Sequence, residues 1–474
     1  MIKSFKFFSL TLLLLFGAGK AFSQKSIELE GVTYEITKDF AKVTDFSKIY
    51  DSFVIAESLV IEENGKSATY PVTTIDSKFD NTPGWQIIES LTIPASITTI
   101  TEQSFQGIKT NNLYIEDLIS WAHIDFQYDH DQGTSSPWYQ SCANPMGQET
   151  VVYVNGIPVT DSLIIEGCGI VSPFAFMGLN CKQVIIGKGT THIGIHAFLN
   201  STLEELAMGP DLETIEQQAF EGCANLTRVT LSPVLSTIGY KAFPETFKNE
   251  YKDVAIREVF VPSIETFAYL DYEWGNNFYW GAYKPIFGSS YTLYVNNETF
   301  ENISIPGFFK DLGAFCMGGV KNVYSVTCEE GIKGTGFSSF MDCENLESVT
   351  FPSTLETFYT SFEGCPNLTT IKLKSLTPPK PGEYYFNYFS ISNPIFYTAT
   401  IFVPEESIEL YRNDEFWSNF VNILPIDETT SVDSLPTDSE DISGKVIYDL
   451  QGRKVSGENL APGIYVIDGK KIKM

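Results

Sequence analysis

The chain has 474 residues, enough for several ordinary domains or one long repeat array. Its 31 Lys and Arg against 59 Asp and Glu give a formal charge of −28, which repels phosphate backbones and anionic headgroups and so argues against nucleic-acid and peripheral-membrane roles. Only 19% of residues are charged while 14% are aromatic, so the chain is no disordered polyelectrolyte and can bury a core.

Residues 1–23 read as a secretory signal: Met1–Lys6 is short and basic, Phe7–Phe16 is apolar, and Ala21-Phe22-Ser23 supplies small residues for cleavage. The apolar run is too short to span a bilayer, and no cysteine marks a lipid anchor. Loss of this leader removes Lys3, Lys6 and Lys20 and leaves the mature chain three charges more negative. The expected location is secreted or on the outer cell surface. Residues 24–74 alternate (Ile27, Leu29, Val32, Tyr34, Ile36) with an Asn64-Gly65 turn, the pattern of a β-rich N-terminal cap.

From about residue 75 the sequence repeats. Phe340-Met-Asp-Cys343-Glu-Asn-Leu346-Glu-Ser-Val349 and Phe362-Glu-Gly-Cys365-Pro-Asn-Leu368-Thr-Thr-Ile371 match column by column at a spacing of 22, and Phe220–Val229 is a third copy. The Val349 column runs through Leu91, Leu113, Leu163, Val184, Leu206, Val229, Val259, Ile303, Val326, Val349, Ile371 and Ile401. A second column places Ile193, Ile215 and Ile238 five residues before Phe198, Phe220 and Phe243. Alternation around the first column predicts a short strand with two apolar side chains on one face, often stopped by a proline (Pro94, Pro262, Pro306, Pro352, Pro404). One copy cannot cover that face, but stacked copies can. The expected fold is a mainly β repeat solenoid over residues 75–426, with a parallel sheet on one face.

These residues also carry a resemblance. The consensus Cys-x-Asn-Leu-x-x-Val-x-Ile/Phe-Pro, followed by Ala/Ser-Phe, resembles the BspA-like, or treponemal-type, leucine-rich repeat of bacterial surface proteins. Leu203–Phe243 and Phe340–Leu373 carry it best, and Ala399–Pro404 with Tyr411, Trp417 and Phe420 looks like that family's last coil and cap. The resemblance implies a leucine-rich-repeat right-handed superhelix. It also implies adhesion or ligand binding outside the cell, without catalysis and without a cofactor.

Excursions interrupt the repeat near residues 116–160, 265–300 and 378–396, and insertions into repeats are loops that often serve binding. The first two are copies of each other. Trp121-Ala-His-Ile-Asp-Phe-Gln-Tyr128 aligns with Phe267-Ala-Tyr-Leu-Asp-Tyr-Glu-Trp274, and Val152-Tyr-Val-Asn-Gly156 with Leu293-Tyr-Val-Asn-Asn297. Residues 427–444 are acidic and rich in Ser and Thr, the composition of a flexible linker. Residues 445–474 read as a small C-terminal β segment, similar to the tails of exported Bacteroidetes proteins that relate to type IX sorting domains but lacking their upstream half.

Chemistry is sparse. There is no zinc-protease, nucleophile-elbow or P-loop motif, so no catalytic or metal residues are assigned and the chain is expected not to be an enzyme. His192 and His196 straddle the Ile193 column in non-helical backbone, with His196 in the column of Gln218, expected to be a variable surface position. Asp129-His130-Asp131 lacks the ligand ladder of a calcium loop and reads as a charged turn. Cys223, Cys343 and Cys365 each follow a phenylalanine by three, which marks buried fillers rather than disulfides. The binding candidates are the excursion aromatics Trp138, Tyr139, Trp274, Tyr279 and Trp280, because Trp and Tyr are rigid amphipathic anchors; Trp121/Phe267 and Phe126/Tyr272 suit packing instead. The function expected is an exported interaction module for a protein or glycan partner. The alternative is an accessory protein that captures glycans for carbohydrate utilisation.

Overall fold

The computed structural model describes residues 11–16, 25–47, 50–63, 66–77, 86–106, 108–128, 143–244, 256–272, 286–288, 290–308, 310–359, 362–382 and 394–426, and in the tail 447–448, 454–455, 464–467 and 470–473. The N-terminal strands obey their alternation: Val32, Tyr34 and Ile36 are buried while Thr33 and Glu35 are partly exposed. Lys25–Leu29, Val32–Ile36 and Ala41–Phe46 form an antiparallel meander, and Ala41–Phe46 then pairs parallel with Lys66–Ile75. Ser58–Glu63 lies antiparallel to Lys66–Ile75 with Glu63 opposite Lys66, the register that a two-residue Asn-Gly turn requires. Thr11–Phe16, the apolar run of the expected leader, lies parallel along the other edge of Ser58–Glu63.

Three parallel sheets line one side of the solenoid. The first begins within the cap, at Ser52–Val54, and continues through Gln86–Ile93, Ile108–Ile115 and Val151–Val154, with Ile157–Val159 antiparallel at its edge. The second runs Ser162–Ile165, Gln183–Ile186, Glu205–Met208, Arg228–Thr230, Glu258–Val261 and Thr292–Val295. The third runs Asn302–Ile305, Ser325–Cys328, Ser348–Phe351, Thr370–Leu373, Thr400–Val403 and Asn422–Pro425. The valine-type column is the register of all three, and every member is buried. The long steps from Leu113 to Leu163 and from Val259 to Ile303 each conceal one further strand, so Val152 and Leu293 join the column. The first two excursions therefore leave the coil and return a strand to the sheet before the period resumes.

The opposite side carries its own ladder. Val171, Ile193, Ile215 and Ile238 pair through Gly169–Val171, Thr190–Ile193, Thr214–Ile215 and Thr237–Ile238. Beyond it the phenylalanine column stacks: Phe176, Phe198, Phe220 and Phe243 follow one another at centroid spacings of 5.3, 5.1 and 5.6 Å with nearly parallel rings. Two residues before each of these rings the backbone turns through the left-handed region, at Phe174, His196, Gln218 and Lys241, and likewise at Phe315 and Ser338 before the equivalent residues Met317 and Phe340. Two residues after the ring it does so again, at Asn200 and Asp342 or at Gly178, Gly222, Gly319 and Gly364. These corners let alternate amides reach the next coil: Phe174, Phe176 and Gly178 donate to the carbonyls of Ile195, Ala197 and Leu199. A non-glycine residue costs about 1–2 kcal/mol in this conformation, so the coil accepts backbone strain in exchange for satisfied amides. At Gly222, φ +71° favours glycine, and an added Cβ would also push aside the Asn200 side-chain oxygen from the coil before.

The cysteines sit inside this packing. Cys223, Cys343 and Cys365 donate their thiols to the carbonyls of Phe198, Met317 and Phe340, in each case the aromatic-column residue one coil back, at 3.1, 3.0 and 2.9 Å. All seven described cysteines are free and buried, and Cys142 lies outside the described residues. Burial pushes the Cys223 and Cys316 thiols up to about 12 and Cys168 to about 11. The C-terminal end is closed by Trp417 and Tyr411, both fully buried: the indole donates to Pro379 O at 2.9 Å and the phenol meets Ser375 Oγ at 2.8 Å. The proposed linker, 427–444, lies outside the described residues. In the tail, Ile447–Tyr448, Lys454–Val455, Ile464–Ile467 and Lys470–Lys473 form one antiparallel sheet. Among the described residues no helix is long and apolar enough to cross a membrane.

Phe220→Ala should lower stability by about 3–5 kcal/mol, as expected for truncating a fully buried ring. Phe300→Ala, at a ring that is 42% exposed, should leave the urea midpoint nearly unchanged. A thiol reagent applied to the native chain should label the seven buried cysteines only after denaturant is added, since burial holds them as unreactive thiols. Rapid native labelling of any of the seven would show that its coil opens.

Candidate interaction face

The duplicated excursions are built the same way. Each opens with a five-residue helix, Leu118–Ala122 or Ile264–Ala268. Asp117 caps the first by accepting from Ser120 N–H at 2.7 Å, and Ser263 caps the second by accepting from Thr266 N–H at 3.3 Å. Trp121 and Phe267 then plunge into the core, with the Trp121 indole donating to Ala175 O at 2.8 Å. Two residues on, His123 reaches the carbonyl of Cys168, and Tyr269 donates its hydroxyl to the carbonyl of Pro306. The conserved geometry of the two copies is thus a docking device that pins the excursion to the following coil. Trp121, Phe267 and Phe126 are packing residues, as their spacing implied, while Tyr272 takes the strand position opposite Ile238.

What the two copies display lies on the strand-lined side. Alternation in the sheet sends Tyr114 and Tyr153 outward from neighbouring strands, where the rings stack at 4.5 Å and 17°. At the equivalent strands of the second copy, Phe260 and Tyr294 stack at 4.3 Å and 7°. Strand spacing sets both separations, because parallel neighbours lie about 4.8 Å apart. Each pair is preceded in the row by a threonine, Thr92 beside Tyr114 and Thr230 beside Phe260. Between the two stations the outward row is Ile164, Ile185, Ala207 and Thr230, small or apolar, with Ile164 53% exposed.

The stations carry charge as well. At the second, the Arg228 guanidinium lies 4.4 Å over the Phe260 ring and the Tyr294 hydroxyl donates to Glu258 Oε1 at 3.0 Å. That hydrogen bond, with a little desolvation and the negative charge of Glu258, raises the Tyr294 phenol above its ordinary value. At the first, Glu89 is held by amide hydrogens from Asn111 (3.0 Å) and Asn112 (3.2 Å). Burial, then Tyr153, then the charge of Glu89 raise Tyr114. The third sheet differs: its outer rows are Asn302, Ser325, Ser348, Thr370, Thr400 and Asn422 beside Ser304, Thr327, Thr350, Lys372, Phe402 and Leu424, a mainly hydroxyl and amide surface.

The excursion candidates Trp138, Tyr139, Trp274, Tyr279 and Trp280 lie outside the described residues, as do Tyr384, Tyr385, Phe386 and the Asp129-His130-Asp131 turn. The expectation that His196 and Gln218 occupy a surface column is corrected. Gln218 is buried, and the His196 side chain is 12% exposed, packed 5.0 Å from the Phe174 ring with Nε2 3.6 Å from Glu221. The left-handed backbone at this column turns the side chain along the coil surface rather than out to solvent. Burial alone would raise the Glu221 carboxyl, but His196, Gln218 and Lys241 hold it below the usual glutamate value. Among the described residues no group of three His, Cys, Asp or Glu is placed to hold a metal ion. Tyr114, Tyr153, Phe260 and Tyr294 escaped the sequence reading because they belong to the coil strands. For Tyr153 and Tyr294 the signal was the outward position in the aligned Val152-Tyr153-Val and Leu293-Tyr294-Val segments.

Six copies of the BspA type Leucine rich repeat region match residues 73–125, 155–268 and 290–409, so the match breaks where the two duplicated excursions enter. Among solved structures the chain is similar to the pneumococcal vaccine antigen PcpA, at 16% identity over 85% of this chain and 99% of that one, with a TM-score of 0.38. It is also similar to a leucine rich cell surface protein from Faecalibacterium prausnitzii A2-165 (17% identity, 88% and 99% covered, TM-score 0.36). A leucine-rich repeat protein from Bacteroides ovatus ATCC 8483 is similar at 16% identity, with 85% and 100% covered and a TM-score of 0.34. No curated protein matches. With its repeats matched over more than half of its length, the chain belongs to the BspA-type leucine-rich repeat family.

Proposed function

We propose that the chain is an exported, surface-displayed interaction protein that binds an extracellular partner without catalysis, through the strand-lined face and the excursions that open onto it. The observation that carries this reading is the stacked aromatic pair built twice on the outward row of a duplicated module: Tyr114–Tyr153, partly exposed, and Phe260–Tyr294, where Phe260 is buried beneath Arg228 and Tyr294. A face built on paired strands is preorganised, so binding costs little ordering, and Tyr with Arg is the composition of interface hot spots. A polypeptide partner is favoured over a sugar. At the second station the rings cover one face of each other and Arg228 covers the second face of Phe260, which leaves that ring no free face for a sugar. The leader at residues 1–23 is taken as the export signal of this surface role.

The test is binding of residues 24–474 to arrayed extracellular proteins and glycans. Tyr153→Ala with Tyr294→Ala should weaken the strongest protein interaction at least about tenfold, a typical hot-spot loss, with an unchanged circular dichroism spectrum. Trp138→Ala with Trp280→Ala then measures what the excursions add. Full binding by the Tyr153/Tyr294 variant would remove the face from the mechanism, and binding confined to oligosaccharides and competed by free sugar would move the chain to glycan capture.

A further inference from the structure

The two stations are the same construction with three differences, Tyr114 for Phe260, Asn112 for Glu258 and Ser90 for Arg228, and the last changes what each can hold. Residue by residue, Thr92-Tyr114-Tyr153 corresponds to Thr230-Phe260-Tyr294, and Asn112 corresponds to Glu258. In the sheet register Arg228 sits opposite Glu258, and Ser90 sits opposite Asn112. The cation that lies 4.4 Å over the Phe260 ring at the second station is therefore replaced by a serine at the first. The first station keeps the aromatic pair and has its carboxylate at a different place: Glu89, beside Ser90 on the same strand, is fixed by Asn111 and Asn112 and lies close enough to act on the Tyr114 phenol. The second station is satisfied internally, with a guanidinium on its ring and Glu258 on its phenol.

We infer that the first station, Tyr114, Tyr153 and Glu89, receives an arginine or lysine side chain from a basic, extended polypeptide partner, at the place that Arg228 fills in the second. The inference rests on the interaction reading above and deepens it by naming the partner's chemistry. An aromatic face with an adjacent fixed carboxylate attracts a cation by both its quadrupole and its charge. Charge complementarity sets the occupant: a chain of −28 steers basic partners toward itself and repels acidic ones. An extended segment suits a strand-lined face: past the edge strand Ile157–Val159, the second sheet presents Ile164, Ile185 and Ala207 in one outward row.

The test uses residues 24–474 and an alternating Arg-Gly peptide of about ten residues, with a Gln-Gly peptide of equal length as control, because only the first can supply the cation. Titration calorimetry should give one site for the Arg-Gly peptide, weakened by salt, and none for Gln-Gly. Ser90→Arg, which installs the second station's own cation in the first, should weaken binding at least about tenfold, as should Glu89→Gln. The reciprocal change, Arg228→Ser, should raise the stoichiometry from one site to two, a gain that unfolding could not mimic. Equal binding of the two peptides, binding unaffected by Ser90→Arg, or an unchanged stoichiometry with Arg228→Ser would overturn the inference. Failure of the broader reading looks different: there, Tyr153→Ala with Tyr294→Ala leaves the arrayed partner bound. If only the present inference fails, that double variant still releases the partner while the Arg-Gly peptide does not bind.

Discussion

Everything in this chain depends on the spacing of parallel strands. A single coil has an apolar strand face and an apolar return side that it cannot cover, and it becomes stable only when another coil lies against it at about 4.8 Å. That distance then governs each side chain that repeats. Valine-type residues meet in register along all three sheets, phenylalanine rings stack at 5.1 to 5.6 Å, and thiols reach the carbonyl one coil back. The left-handed corners follow from the same demand, since only a turn of that kind aims alternate amides at the neighbouring coil. Local strain is accepted because the ladder would otherwise leave buried N–H groups unpaired.

The excursions show how a strict period admits an insertion. Chain that leaves the coil must come back at the next strand position, or the column beneath is left open to water. Both copies solve this with a capped five-residue helix, a buried aromatic and a polar tether to the following coil, and both return a strand whose inward residue, Val152 or Leu293, continues the column. Because that returning strand lies directly beside the one before the excursion, its outward tyrosine must stack on the outward aromatic of its neighbour. The aromatic stations are thus a geometric result of inserting a module into a parallel sheet. The surface they create is unlike the hydroxyl and amide rows of the third sheet, so one solenoid carries two chemically distinct faces.

Sequence and structure agree where the signal is periodic. The columns, the proline stops, the fillers at Cys223, Cys343 and Cys365 and the packing roles of Trp121 and Phe267 could all be read from spacing, because each is repeated and each has one physical explanation. His196 and Gln218 were read outward because polar identity suggests solvent, whereas the corner's backbone conformation decides their direction and no residue type announces it. The aromatic stations were harder still. Tyr114 and Tyr153 are far apart in sequence, and attention goes naturally to tryptophans in long insertions rather than to tyrosines inside short strands.

The sequence by itself determined the architecture, the number of apolar columns and the existence of a duplicated module, since these are one-dimensional patterns enforced by burial. Only the tertiary structure decided which strands become neighbours across an excursion. That in turn placed Tyr114 on Tyr153 and Phe260 on Tyr294, laid Arg228 over one ring, and set Ser90 at the corresponding place beside the other. Stacking and charge pairing act over a few ångströms between residues far apart along the chain, so they exist only once the sheet has closed the intervening loop.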